Sequence, residues 1–407
     1  MRYRKTIARF VSFLGVFAGL SDACSAAQAA PPPAEAASIP VELASDGLVL
    51  VQASVNGHPG WFILDNATEG FLADREYAQR NSLRSGESAS ARGGGKNEIQ
   101  AGIVRDVRIG LAGLELPHRD LVAIPLKSLE PALGHEIDGI IGSSLFDDSV
   151  VAIDYEHRVM TLSAPGSYRP PAGAVALPVA IDSHGFQYLD ATLTLPGAAP
   201  VTARFLVDGG ANTYADIYKP FADAHHLPPP SMKLLDEPGT STGGATESRS
   251  GRATRIALGP FSVANPVVTF AQDTEGLMAA HDYAGLIGAE FLERFIVVFD
   301  NPGKRILLTP NRRYRDLAEE DESGLRIRTD PADFHRFIVK RIVPGSPATD
   351  AGIAAGDVIE SIGGRPAGEL TLTELRHMLC RSRAEYSIGI LRGTAHLRLA
   401  LKLRALL

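Results

Sequence analysis

Short apolar stretches that end at turn-forming residues recur along most of this chain, a pattern typical of β-rich proteins. One set of elements occurs twice, each time as an extended run, a Gly-containing turn signal and an apolar strand ending in aspartate. The set comprises residues 48–55, Asn56-Gly57 and 61–65 in the first copy, and 188–195, Pro196-Gly197 and 203–208 in the second. The pattern therefore predicts two similar β units, each with an aspartate directly after a buried strand.

Later landmarks repeat at a nearly constant distance along the chain. An apolar-apolar-Gly motif at 140–142 recurs at 286–288, and a β run ending in an acid follows each motif, at 150–154 and 296–300. The two leading aspartates are 143 positions apart, and the later landmarks are 146 positions apart. Because chance rarely gives one offset across separate motifs, we predict a duplication.

The arrangement of these motifs resembles the retropepsin-like and pepsin-like aspartic proteases over roughly residues 39–312. The resemblance implies that Asp65 and Asp208 form a catalytic pair where two lobes meet, with an apolar-Gly strand packed beneath each aspartate turn. It also implies glycine-rich flaps that close over the substrate, and composition places them near Gly94 and Gly243.

Paired carboxyl groups suit hydrolysis, because two carboxylates a few ångströms apart share one proton over a useful pH range. The ionised member can take a proton from a bound water, and the protonated member can donate to the scissile carbonyl oxygen. Such a site needs no metal or organic cofactor, and the sequence implies none.

Both turns differ from the Asp-Thr/Ser-Gly of that family, whose hydroxyl group links the two turns by hydrogen bonds. Here Asp65 is followed by Asn66 and Ala67, and Asp208 by two glycines. Asn66 can donate an amide hydrogen, whereas Gly209 has no side chain, and Ala67 adds a methyl group where the family has glycine. These differences leave open an alternative function, a catalytically inactive scaffold that binds peptides.

Residues from about 323 resemble a bacterial-type PDZ domain. The segments that carry the resemblance are residues 337–348, 351–353, 356–359 and 362–364, followed by a helix that opens at 372–376 with Thr373 as its expected N-cap. The resemblance implies that a peptide end adds as a strand and that backbone amides of a loop containing Leu325, Arg326 and Ile327 hold its carboxylate. Arg326 stands where the family has glycine, so the alternative is that this domain packs on the lobes or binds internal sequences.

The N-terminus is typical of a signal peptide, with a basic start, a short apolar core and a small-residue cleavage site at 27–29. It predicts a periplasmic or secreted protein; lipid attachment at Cys24 is a less well matched alternative. Removing residues 1–29 takes the formal net charge from −7 to about −10, which disfavours nucleic-acid binding. No apolar run approaches the ~20 residues of a membrane-spanning helix.

We therefore predict a mainly β protein with two tandem closed β lobes and an α+β PDZ domain. The predicted segments are a signal peptide at 1–29, a linker at 30–38, lobes at 39–169 and 174–312, and the PDZ domain at 323–407. The leading predicted function is an exported aspartic endopeptidase acting on polypeptides, with the PDZ domain binding substrate or a partner. The alternative is an inactive protease-fold scaffold that binds peptides through its cleft and PDZ domain.

Overall fold

The structure, a computed structural model, describes residues 37–44 and 47–407. The predicted signal peptide and most of the predicted linker lie outside the described residues, although Ala37 and Ser38 of that linker already belong to a strand. The protein is mainly β, as the sequence predicts. Across the described ranges, none of the helices is both long and apolar enough to span a membrane.

The first half of the chain contains eleven strands and three short helices among its described residues. They are β1 (Ala37–Pro40), β2 (Glu42–Ala44), β3 (Leu48–Val55), β4 (His58–Leu64), β5 (Phe71–Asp74), α1 (Arg75–Arg80), β6 (Glu87–Arg92), β7 (Glu98–Leu111), β8 (Leu114–Ile124), α2 (Glu130–Leu133), β9 (Gly139–Ile141), α3 (Ser143–Asp148), β10 (Val150–Asp154) and β11 (Val159–Ser163). Strands β2 to β9 form one eight-stranded sheet in the order β2-β3-β4-β9-β5-β8-β7-β6. An additional pairing of β3 with β7 closes part of this sheet into a ring.

The second half follows a similar plan. Its elements are β12 (Val175–Pro178), β13 (Ala180–Ile181), β14 (Gln187–Thr194), β15 (Val201–Val207), β16 (Ala215–Ile217), α4 (Lys219–Ala224), β17 (Leu234–Asp236), β18 (Gly239–Ser241), β19 (Gly244–Thr246), β20 (Ser248–Arg252), β21 (Arg255–Leu258), β22 (Phe261–Ala264), β23 (Val267–Ala271), β24 (Gly285–Ile287), α5 (Ala289–Leu292), β25 (Phe295–Asp300) and β26 (Arg305–Pro310). Ten strands form a sheet with the path β17-β20-β23-β16-β24-β15-β14-β21-β22 and with β13 paired to β14, while β18 and β19 form a separate hairpin.

A six-stranded sheet joins the two halves in the order β1-β11-β10-β25-β26-β12. At its centre, β10 and β25 run antiparallel, with Ala152 opposite Val298. These two residues are 146 positions apart, which is the offset of the duplicated motifs. Equivalent residues of the two halves therefore face each other, as expected at a local two-fold axis. One continuous core of buried residues runs through both halves and this sheet.

The C-terminal module has its own hydrophobic core. It contains β27 (Leu325–Asp330), β28 (Asp333–Ile342), α6 (Pro347–Asp350), β29 (Val358–Ile362), β30 (Arg365–Pro366), α7 (Leu372–Leu379), β31 (Glu385–Arg392) and β32 (Ala395–Lys402). Its sheet has the order β27-β28-β29-β31-β32, with β30 paired to β29, so β27 lies at an edge.

Local sequence signals account for several of these boundaries. The turn between β3 and β4 has positive φ at both Asn56 and Gly57, as the Asn-Gly signal predicts. Helix α7 begins at Leu372, as predicted, but the prediction of Thr373 as its N-cap is wrong, because Thr373 lies inside the first turn. Thr371 caps it instead, in a capping box with Glu374, whose side chain accepts a hydrogen bond from the Thr371 backbone amide.

Candidate active site

Each aspartate turn is held by the apolar-Gly strand of its own half. Strand β9 lies between β4 and β5, and its Ile141 carbonyl accepts a hydrogen bond from the Asp65 amide at 2.9 Å. In the second half β24 lies between β15 and β16, and the Ile287 carbonyl accepts from the Asp208 amide, also at 2.9 Å. The two aspartates therefore occupy equivalent positions, as the duplication predicts.

The glycine that ends each supporting motif allows a close backbone approach. A Cβ at Gly142 would overlap the carbonyl oxygens of Thr68 and Gly70, which belong to the first turn. A Cβ at Gly288 would lie 2.5 Å from the carbonyl oxygens of Ala211 and Thr213 in the second half. Because real Cβ atoms do not approach carbonyl oxygens so closely, both motifs require glycine for packing beneath the turns.

Asn66 links the two turns on its own. Its Oδ1 accepts a hydrogen bond from the Gly209 amide at 2.8 Å, and its Nδ2 donates to the Val207 carbonyl at 2.7 Å. A Cβ on Gly209 would lie 3.2 Å from Asn66 Oδ1, so the long amide and the bare glycine fit together. One side chain thus provides both a donor and an acceptor between the halves, where the family uses a hydroxyl group from each turn.

A chain of buried amides extends from Asn66. Asn66 Nδ2 also donates to Gln187 Oε1 at 3.0 Å, and Gln187 Nε2 donates to Asn301 Oδ1. The Asn301 amide donates in turn to Asp147 Oδ1 at 2.8 Å. Since Gln187, Asn301 and Asp147 come from β14, the end of β25 and α3, this network fixes the first turn against the centre of the molecule.

The carboxyl groups of Asp65 and Asp208 lie within hydrogen-bonding reach of each other, and both side chains are fully buried. Asp65 Oδ1 accepts from the Ala67 amide at 2.8 Å, and Oδ2 accepts from the Thr68 hydroxyl at 2.7 Å. Asp208 Oδ1 accepts from the Gly210 amide at 2.8 Å. The two predicted catalytic residues are therefore brought together.

Burial shapes the protonation of this pair. Loss of hydration raises the pKa of Asp65 to about 6, and the hydrogen bonds from Thr68 and Ala67 and the contact with Asp208 offset only part of that rise. A raised pKa means that the pair keeps a proton at pH values where an exposed aspartate is ionised, with the protons belonging to the pair as a unit. Such a pair can act as base and acid in one step.

The packing of the site also requires glycine at position 210. A Cβ at this position would overlap the Asp65 carboxyl group, with Oδ1 at 2.9 Å. The equivalent residue of the first turn is Ala67, which is fully buried. The Asp65 carboxyl group therefore packs against the bare backbone of the second turn.

The two glycine-rich segments meet each other. The first is the tip of the β6–β7 hairpin, where the Gly95 amide donates to the Thr242 carbonyl at 2.9 Å and the Asn97 amide to the Gly243 carbonyl at 3.0 Å. A Cβ on Gly95 would overlap the Gly243 backbone. The predicted flap residues Gly94 and Gly243 thus belong to two hairpin tips, one from each half, that contact each other through backbone atoms.

An ion pair crosses the halves beside these tips. Lys96 Nζ lies 3.1 Å from Asp273 Oδ1 and 3.7 Å from Glu247 Oε1, and the Asp273 side chain is 1% exposed. Asp273 also accepts a hydrogen bond from the Glu247 amide at 2.9 Å. A lysine from the first hairpin therefore pairs with a buried acid of the second half.

The predicted peptide-binding loop of the C-terminal module lies away from the aspartates. Leu325 and Ile327 are buried in the core of that module. The Arg326 side chain binds two carboxylates, Asp321 of its own module and Glu237 of the second half. The structure therefore does not bring these three residues to the carboxyl pair.

Three contributions to the site were not predicted from the sequence: the acceptor role of Asn66, the Thr68 hydroxyl bond to Asp65, and the requirement for glycine at position 210. A hydroxyl residue three positions after Asp65 was a visible signal for the second of these. The other two depend on residues more than 140 positions away along the chain.

Comparison with known families supports this description. Residues 51–145, which include Asp65 and its supporting motif, match the family model for aspartyl proteases, and residues 338–383 match the model for PDZ domains. Asp208 lies outside both matches, and no curated protein matches the chain significantly. The chain thus combines an aspartyl-protease domain with a C-terminal PDZ domain.

Proposed function

We propose that this protein is an exported aspartic endopeptidase that hydrolyses peptide bonds with a water activated between Asp65 and Asp208. The observation that carries the proposal is the close approach of two buried carboxyl groups on equivalent turns. Asn66 and the supporting motifs position both turns, so the pair is preorganised for catalysis. The PDZ domain is proposed to bind substrate or partner polypeptide.

The pair holds one proton both before and after the attack on the peptide bond. The ionised carboxylate accepts a proton from water as the water oxygen bonds to the carbonyl carbon, and the carboxylic acid donates its proton to the carbonyl oxygen. The newly protonated member then supplies a proton to the amide nitrogen while the C–N bond breaks, and the other carboxylate takes a proton from a hydroxyl group of the tetrahedral intermediate, so the pair again holds one proton.

The two hairpin tips are the proposed entrance for a polypeptide. The tips hydrogen-bond to each other, and the carboxyl groups are fully buried. We therefore propose that an extended substrate segment replaces the contact between the β6–β7 and β18–β19 hairpins, in the positions of Gly94 and Gly243. Extended binding beneath such hairpins suits an unfolded polypeptide better than a folded one.

We expect hydrolysis of an unfolded protein substrate to be fastest in mildly acidic solution and to fall as the pH rises above about 6. Loss of hydration raises the pKa of Asp65 to about 6, so the pair keeps a proton at pH values where an exposed aspartate is ionised. Loss of the last proton from the pair at higher pH removes the acid that protonates the carbonyl oxygen. A pH profile of kcat/KM between pH 3 and 8 measures this. Maximal activity at pH 8 would contradict a shared-proton mechanism, and no cleavage at any pH would favour a peptide-binding scaffold.

Export is proposed from the basic start, apolar core and small-residue cleavage site of the N-terminus, which lies outside the described residues. We expect N-terminal sequencing of protein from a native host to begin near Ala30 or Pro31, in the periplasm or the medium. An N-terminus at Met1 in the cytoplasm would contradict this, and a lipid on Cys24 would show membrane anchoring instead.

A further inference from the structure

The PDZ domain binds a carboxylate of the second half. Arg326 Nε donates to Glu237 Oε2 at 2.8 Å, and Arg326 Nη2 donates to Glu237 Oε1, so the guanidinium holds both oxygens. Arg341 Nη2 donates to the same Oε2 at 3.1 Å. A paired, two-point contact of this kind is among the stronger polar interactions of proteins, and here it joins β27 and β28 to the segment between β17 and β18.

A second carboxylate occupies the predicted peptide-binding loop. Asp321 Oδ1 accepts from the backbone amides of Ser323 at 2.6 Å and Gly324 at 3.0 Å, and Asp321 Oδ2 accepts from Arg326 Nη1 at 2.8 Å. Backbone amides at the start of this loop therefore bind a carboxylate that belongs to the chain itself.

The groove between β27 and α7 is also covered, by the α2 segment of the first half. Thr329 of β27 donates to the Pro131 carbonyl at 3.3 Å, and Arg376 of α7 donates to the Ala132 carbonyl at 3.0 Å. A Cβ on Gly134, directly after α2, would lie 2.8 Å from the Leu372 Cβ of α7. The free edge of β27, where a peptide would add as a strand, is thus covered by the chain's own residues 131–134.

Glu237 lies next to the β18–β19 hairpin. Only Pro238 separates it from β18, whose hairpin with β19 carries the tip that contacts the first half. A contact that fixes Glu237 therefore restrains one base of this hairpin. The Glu237 backbone is also bonded to Ser248, through its amide at 2.8 Å and its carbonyl at 2.6 Å, so release of the Glu237 side chain removes one of several restraints on that base.

We propose that Arg326 and Arg341 form a binding site for the C-terminal carboxylate of a polypeptide, and that Glu237 occupies this site within the free chain. A polypeptide end that displaces Glu237 then loosens the β18–β19 hairpin and so eases entry of substrate to Asp65 and Asp208. A carboxylate ligand suits the site because the two arginines face two acids, Asp321 and Glu237. Replacing Glu237 by another single carboxylate keeps this charge balance. The effect on hydrolysis rests on the proposed function, whereas the binding site does not.

An internal occupant lowers the apparent affinity for an external ligand by the fraction of time that the site is free. Removing the charge of Glu237 without changing its size should therefore raise the affinity for polypeptide ends. Asp236→Asn is a matched control, because that neighbouring side chain is 84% exposed and its carboxylate lies 3.5 Å from Arg249.

The binding test uses the full chain without residues 1–29 and a fluorescein-labelled decapeptide mixture, random except for an apolar last residue with a free carboxylate. We expect Glu237→Gln to bind this mixture about tenfold more tightly than the wild type and Asp236→Asn to bind it like the wild type. The same mixture with amidated ends should show no gain. Equal affinity of the wild type and Glu237→Gln, or an equal gain for amidated peptides, would overturn the proposed site.

Hydrogen exchange tests the coupling to the hairpin. Glu237→Gln, or the wild type saturated with free-carboxylate peptides, should show faster amide exchange at residues 239–246 than the free wild type. Tighter binding without faster exchange would overturn the coupling. Faster exchange and tighter binding in a protein that cleaves nothing would support this inference while contradicting the proposed hydrolysis, so the two proposals fail separately.

Discussion

Replacing either Asp65 or Asp208 by asparagine is expected to reduce hydrolysis by a factor on the order of 10³ or more, because each carboxyl group has a role in the same proton transfer. The double variant should be scarcely less active than either single variant, since residues that act as a unit show non-additive effects. Rates of cleavage of an unfolded protein substrate at pH 5 measure this. Cleavage that survives either single substitution would reject the pair as the catalyst.

Asp216→Asn is the matched control for these variants. Asp216 is buried in the second half, and loss of hydration raises its pKa to about 6, as at Asp65, but its hydrogen bonds are to the Thr213 and Thr269 side chains. We expect this variant to retain activity within a few-fold of the wild type. A loss as large as that of Asp65→Asn would show that the assay reports damage to the fold and not removal of a reacting group.

Asp65→Asn is also expected to change how the stability of the protein depends on pH. An acid whose pKa is raised by folding binds protons more tightly in the folded than in the unfolded state, so stability falls as the pH rises from about 4 to about 6 and stays low above that. Asp65→Asn removes this cost. It should therefore be more stable than the wild type at pH 7.5 by about 1–3 kcal/mol, and equally stable at pH 4.

Replacing Asn66 by alanine is expected to lower the free energy of unfolding by about 3–5 kcal/mol, since each buried partner left unsatisfied costs about 1–3 kcal/mol. The Gly209 amide, the Val207 carbonyl and the Gln187 amide oxygen all lose a bond. Urea denaturation followed by the fluorescence of Trp61 measures the loss, because Trp61 is the only tryptophan and lies in β4, four residues before Asp65.

Two further variants serve as comparisons for Asn66→Ala. Asn212→Ala changes a half-buried asparagine after the second turn, and we expect it to cost less than about 0.5 kcal/mol. Asn66→Asp keeps the acceptor for the Gly209 amide but replaces the donor to the Val207 carbonyl with a second oxygen, so it should also be strongly destabilising. A cost below about 1 kcal/mol for Asn66→Ala would show that the amide does not hold the halves together.

The repeated elements could be predicted from the sequence because their signals are local. A strand that ends in aspartate, the Asn56-Gly57 turn and the Gly142 and Gly288 positions are each specified by a few neighbouring residues. The link between the turns could not be predicted in the same way, because the partner of Asn66 is 143 positions away. Whether its amide would reach Gly209 depends on the packing of the two halves, and a single sequence does not show that packing.

Contacts between separate surfaces could not be predicted from the sequence either. The bond between Arg326 and Glu237 depends on where the C-terminal module rests, and the meeting of Gly95 with Thr242 depends on the reach of two hairpins. Glycine content identified the hairpin tips, but composition does not say what they touch. The misplaced cap of α7 has a simpler cause, since Thr371 and Thr373 both lie near the start of the helix and only the box with Glu374 distinguishes them.

At the centre of the six-stranded sheet, strand pairing alone does not distinguish the two halves from each other. Around Ala152 and Val298, Val151 faces Phe299 and Ile153 faces Val297, so a strand from either half could pair with a second copy of itself in the same register. The two aspartate turns, in contrast, favour pairing of the two different halves. Two copies of the first half would place a second Asn66 side chain where the structure has bare Gly209, and even a Cβ there makes a tight contact, 3.2 Å from the Asn66 amide oxygen. Two copies of the second half would have no amide to join them. The first turn supplies the Asn66 amide and the second turn supplies the space at Gly209. This favours pairing of the first half with the second half over pairing of either half with a copy of itself during folding.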